Sequence, residues 1–174
     1  MLDSILALNN MYLQIVLVSS FPITELRFSI PYYILFKSVD WKIAFTYSII
    51  GNILIGAMIV YIIGPLMHYL KKYTFFSKPI NYILNRTITK STIVNNFKTL
   101  GLIIFIGIPL PFTGVWTGSL AGYLFSIPKK KVILGIVLGV LMSATIVTVI
   151  TLLGNEIWLN VLEGQLNKKL GIVK

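Results

Sequence analysis

The stretch Phe21-Pro22-Ile23-Thr24-Glu25-Leu26-Arg27-Phe28-Ser29-Ile30-Pro31 sets a carboxylate, a guanidinium and two prolines between apolar runs. A charged side chain at mid-bilayer costs about 2.5–3.5 kcal/mol on insertion scales, so it has a partner or a task. A second proline-broken stretch follows half a chain later, Ile108-Pro109-Leu110-Pro111-Phe112-Thr113-Gly114-Val115-Trp116-Thr117-Gly118. The two broken segments are expected to face each other and form the site.

Composition names the solvent. Of 174 residues 56% are hydrophobic and 11% charged, and the mean hydropathy is +0.87. Soluble domains carry about 25% charged residues. The chain therefore reads as an all-α, multi-pass protein of the cell membrane, one transmembrane domain over 1–174 with no separate soluble part. Cysteine is absent, His68 is the only histidine and the five acids are scattered. Thiolate chemistry is excluded, and no metal and no cofactor are expected. The net charge is +10. Because the lysines cluster between apolar runs, membrane lipids with anionic headgroups are the expected partners, not nucleic acid. The first basic side chain is Arg27, so no signal-peptide n-region precedes the first apolar run.

Run lengths give the organisation. Residues 4–24 carry no charge, though Asn9, Asn10 and Gln14 make them less apolar than a simple anchor. Lys37, Asp40 and Lys42 mark a polar boundary. The 25 residues from Ile43 to Met67 lack Asp, Glu, Lys and Arg, enough for a span, which needs about 20. Residues 71–98 hold Lys71, Lys72, Lys78, Arg86, Lys90 and Lys98 and no acid, so they read as a cytoplasmic basic linker. Within it Phe75, Phe76, Ile80, Ile83 and Leu84 form either a stripe on the membrane surface or part of a solvated tether.

Thr99 to Pro128 is an uncharged run of 30 residues. As one helix it would reach about 45 Å, against a hydrocarbon core of about 30 Å. Pro109 and Pro111 break it. Its first arm, Thr99 to Ile108, reaches about 15 Å as a helix, which is half a membrane. A single crossing would also place Lys129, Lys130 and Lys131 outside, against the positive-inside rule. A re-entrant hairpin keeps them inside. Val132 to Leu153 is then the second span. The tail 154–174, with Ile157, Trp158, Val161 and Leu162 at helical spacing, reads as a short interfacial helix.

An offset of 88 residues superposes the halves in pattern: Ser38 on Ser126, Lys42 on Lys130, Gly51 on Gly139. Each half, 1–70 and 99–153, is a re-entrant helical hairpin followed by one long transmembrane helix. The long helices cross in opposite directions. Such inverted repeats with broken helices are a recurring transporter plan, with the site near the midplane.

Two residues apart on a helix, Glu25 and Arg27 face nearly opposite ways. In extended backbone they share a side. Direct pairing therefore requires an unwound motif, which Pro22 and Pro31 favour. In the functional reading Glu25 takes and releases protons and Arg27 anchors an anionic group, phosphate especially. In the alternative they are an ion pair that locks the hairpin. In the second motif Thr113 is expected to cap a helix starting at Gly114, whose free N–H groups suit an anion or carboxylate. Trp116 and Thr117 line a substrate path or fill the bundle. Gly114, Gly118 and Gly122, with Gly135, Gly139 and Ser143, recur every four residues, so the helices that carry them are expected to pack together. Asn52 needs an interhelical partner, with Ser48 and Gly56 on its face. No hydrolytic motif is present, and no enzyme is expected.

Glu25-Leu26-Arg27-Phe28-Ser29-Ile30-Pro31, Ile108 through Gly118 and the Ile127–Lys131 corner together resemble the small multi-drug export protein family. Phe112 departs from the glycine of that pattern and is expected to stiffen the second turn. The resemblance implies efflux. It extends distantly to the DedA superfamily of lipid transporters, which implies two re-entrant loops related by inverted symmetry. The expected function is secondary, proton-coupled transport of a small-molecule substrate. The alternatives are a flippase for polyprenyl phosphate or phospholipid, and a non-transporting membrane scaffold. Two spans and two hairpins form a thin bundle, for which a homodimer is expected.

Overall fold

A computed structural model describes residues 10–70, 92–110 and 113–169. The expectations for residues 71–91 lie outside this range, as do Pro111 and Phe112 and the side chains of His68, Val161 and Leu162. Regular structure in the described residues is helical. It comprises α1 (Met11–Ser20), α2 (Glu25–Pro31) with a π-helical continuation (Tyr32–Phe36), α3 (Trp41–Leu70), α4 (Thr92–Gly107), α5 (Val115–Leu124) and α6 (Lys129–Lys169).

Asn10 starts α1, its side-chain oxygen accepting from the amides of Tyr12 (3.1 Å) and Leu13 (3.3 Å), as an N-cap does. Pro22 holds Phe21 extended (φ −76°, ψ 144°), which ends the helix. The chain turns over residues 21–24, where the Thr24 hydroxyl donates to the Val18 carbonyl. Then α2 runs back, and Tyr33 buries itself with Ile15 and Val18. The expected unwinding at Glu25–Arg27 is corrected here: Leu26 and Arg27 are helical, and the break lies at 21–24 and at Glu25, whose φ is 38°. Pro31 sits inside α2. It lacks an N–H and crowds the carbonyl four residues back, and the wider π turn begins directly after it.

Asp40 caps α3, its carboxylate 2.8 Å from the Lys42 amide. The helix α4 begins at Thr92, earlier than the Thr99 read from charge alone, and so includes Lys98. Lys98 Nζ donates to the Phe125 carbonyl at 3.0 Å, while a Cβ on Gly118 would meet Ile106. Thus α4 and α5 are antiparallel, and Lys98 lies at the same end of the bundle as Lys129. The long helix α6 continues through Gly154 to Lys169, so the tail is no separate element. A glycine inside a helix costs only about 1 kcal/mol relative to alanine, too little to stop it without a proline.

The halves share local geometry at the 88-residue offset. Ser38 and Ser126 both have φ 51°. Val39 and Ile127 behind them are both buried, and the long helices start at Trp41 and Lys129. Gly51 admits the Val16 carbonyl of α1, and Gly139 admits Ile106 and the Ile103 carbonyl of α4. The glycine stripe of α6 therefore receives α4 rather than α5, with Gly135 against Leu102. Gly122 does abut Val132 of α6. The two long helices are antiparallel: Gly56 lies against Ile136, and Lys129 Nζ sits 5.2 Å from the Tyr61 ring centroid. In exchange, α2 packs on α6 and α5 on α3.

Only 22% of the most apolar window of α3 is buried, and 44% of that of α6. Leu54, Met58, Ile62 and Leu66 on α3, and Leu134, Leu138, Val149 and Leu153 on α6, lie bare. Exposed apolar surface on this scale marks a surface that meets something other than water. Around helices of this length that medium is lipid.

Candidate functional site

The start of α2, just after the turn at 21–24, meets residues 108–110, 113 and 114 of the second turn. On α3 the first lies beside Gly51 and Asn52: Ser20 Oγ donates to the Gly51 carbonyl (3.1 Å) and Asn52 Nδ2 to the Ser19 carbonyl (2.9 Å). That is about 15 Å along α3 from Trp41. Near the second turn, Ile106 faces Gly139, again about 15 Å from its helix start at Lys129.

Arg27 reaches across. Its Nη1 donates to the carbonyls of Leu110 and Thr113, and its Nη2 to that of Ile108 at 3.5 Å. Glu25, 6% exposed, turns the other way. Its Oε1 accepts from the Trp116 amide at 3.5 Å, and the Val115 amide also faces the carboxylate. The N-terminus of α5 is thus capped by an acid from the other hairpin, which suits the positive end of the helix dipole. Gly114 makes room. Its φ is 143°, a region open to glycine, and a Cβ there would fall on the Glu25 carboxylate. Glu25 itself has φ 38°. A non-glycine residue held in that region costs about 1–3 kcal/mol and persists only where its surroundings impose it.

The other expected residues sort by contact. Trp116 bridges the turns, its Nε1 donating to the Ser20 carbonyl at 3.1 Å. Thr113 does not cap α5. Its hydroxyl lies 3.0 Å from the Ile108 carbonyl and 2.8 Å from that of Leu110, so it closes its own turn. Among the described residues Thr117 bonds only the Gly114 carbonyl at the start of its own helix (3.4 Å). Pro22 is exposed. Pro31 and Pro109 line a cleft of about 700 Å³ beside Arg27, walled on the far side by Thr151, Asn155 and Trp158 of α6. Pro111 lies outside the described residues.

Sequence reasoning placed Ser48 beside Asn52 but missed its partner Ser29. Ser29 and Ser48 share a hydroxyl bond between α2 and α3. Asn52 also donates to the Ser48 carbonyl at 3.1 Å. Their signal was a small polar residue inside an apolar run, a mark of helix contacts in lipid. Among the described residues no three His, Cys, Asp or Glu side chains come together.

A family model described as "Putative small multi-drug export protein" matches residues 25–146, from Glu25 through both motifs and into α6. No curated protein and no solved structure matches. The matched span takes in the contacts that Glu25 and Arg27 make with the second turn, and the chain belongs to the small multi-drug export protein family.

Proposed function

We propose that this protein is a proton-coupled secondary exporter, multi-pass in the cell membrane, whose two inverted repeats meet at re-entrant tips near the midplane. The interlock of Glu25 and Arg27 with the opposite turn carries the reading. Several observations support the membrane placement. Each tip lies about 15 Å along a long helix, half of a core about 30 Å thick. Lys98 and Lys129 share one end, the cytoplasmic one by the positive-inside rule. Irregular backbone at this depth is tolerated where protein buries it or a wet cavity meets it.

Glu25 is the coupling group. As an anion it holds the amides of Val115 and Trp116. Protonated, it loses the charge that the helix terminus favours, and one oxygen becomes a donor facing donors. The tips then part, and the amides and the Arg27 fork become free for substrate. Arg27 suits this exchange because a planar guanidinium spans several acceptors at once. A homodimer would thicken the bundle.

Flux of polyprenyl phosphates and of cationic drugs into liposomes holding the full chain tests the reading. Glu25→Gln keeps the shape of the side chain, so the protein stays folded and abundant while pH-dependent flux disappears. Unchanged flux overturns the coupling role. If neither the wild type nor the variant moves any member of the panel, the protein is a scaffold and the interlock a latch.

A further inference from the structure

A second cleft, of about 310 Å³, lies between Ser119 and Tyr123 of α5, Ile63 of α3 and Lys129 of α6. It pairs with the larger one beside Arg27. At the 88-residue offset Pro31 matches Ser119, Leu35 matches Tyr123 and Ile63 matches Thr151, and each of these six residues lines one cleft or the other. Each cleft thus lies between the returning arm of one hairpin and the distal half of the other repeat's long helix. Because α3 and α6 are antiparallel, the clefts lie toward opposite ends of the bundle, with the interlocked tips between them.

Their charges agree as well. Among the described residues Arg27 is the one charged residue lining the first cleft and Lys129 the one lining the second, and no acid lines either. The Glu25 carboxylate is spent on α5 amides, and Arg27 Nε is buried without a partner among the described residues. The larger cleft falls within the range of about 300–1,000 Å³ that drug-sized ligands occupy. Its remaining walls are mostly apolar, and it ends at exposed Trp158.

We propose that the two clefts are the opposite mouths of one path for a drug-sized amphiphilic anion, with a single cation at each mouth. The apolar body lies on Leu35, Val147 and Ile150 while the anionic group meets Arg27, and Lys129 receives the anion on the other side. A cationic amphiphile of the same shape meets a like charge at both mouths and is rejected. This inference rests on the exporter reading and adds the sign of the substrate.

The chain has no cysteine, so Thr151→Cys and Ile63→Cys report on the two clefts separately in liposomes holding the full protein. A membrane-impermeant maleimide should reach them from opposite faces. Decyl sulfate should slow both reactions by about tenfold or more relative to decyltrimethylammonium, as like-charge exclusion in a desolvated site implies. If Thr151→Cys does not fold, Asn155→Cys on the same wall replaces it. Labelling of both positions from one face overturns the two-mouth arrangement. Equal protection by the two amphiphiles, or stronger protection by the cation, overturns the anion assignment while leaving export standing. No protection by either ion removes the clefts as binding sites. The pH-dependent flux that Glu25→Gln abolishes is measured separately and tests export on its own.

Discussion

The first hairpin tip reaches across with side chains, Glu25 and Arg27; the second answers with backbone, amides at Val115 and Trp116 and carbonyls at Ile108, Leu110 and Thr113. The two turns lie about equally far along their long helices, yet only the first brings charged side chains to the contact. Matching charges on the second tip would mean desolvating two more ions, and that penalty can exceed the attraction it brings. Backbone dipoles at a helix terminus and in a proline-broken turn are present in any case. They supply partners for both charges without further desolvated ions. A broken helix is therefore useful to its opposite number, because its unpaired groups become the second half of the contact.

Gly114→Ala strikes this contact hardest. The left-handed φ alone costs about 1–3 kcal/mol, and the new methyl group displaces the Glu25 carboxylate from its amides. Thermal unfolding in detergent should shift more for this variant than for any other single change named here, and flux should vanish. Arg27→Lys comes next. One ammonium cannot span three carbonyls, so the loss should be about 1.5–3 kcal/mol, the range for hydrogen bonds to charged groups. A variant as stable and active as wild type would show that the guanidinium fork is dispensable. Trp116→Phe keeps the ring and removes only the indole bond to Ser20, for about 0.5–1.5 kcal/mol. Thr117→Val should change stability by less than about 0.5 kcal/mol, because among the described residues its hydroxyl bonds only the Gly114 carbonyl at the start of α5. A larger effect on flux than on stability would show that Thr117 touches substrate.

Much of this architecture is legible from spacing. Uncharged runs locate α3 and the apolar part of α6, and Pro109 locates the second turn. Charge alone placed the start of α4 too late, because the uncharged run stops at Lys98, whereas the helix runs back through Lys98 to Thr92 and Lys98 donates to the Phe125 carbonyl. Thr113 has the residue type and position of a cap, yet its hydroxyl is captured by nearer carbonyls. Thr151 and Asn155 read as incidental polar positions on a span. They become cleft walls because α4 stops near Met142, where Gly107 abuts it, short of Thr151 and Asn155.

By itself the sequence determined the solvent, the long helices and the places where helices break, since these follow from hydropathy, run length and proline geometry within a few residues. It also marked Glu25 and Arg27 as needing partners. Which partners they take was decided by tertiary structure alone. Arg27 and the carbonyls it binds stand 81 to 86 residues apart, Glu25 and the Trp116 amide 91, and the packing of α2 on α6 and of α5 on α3 brings them within reach.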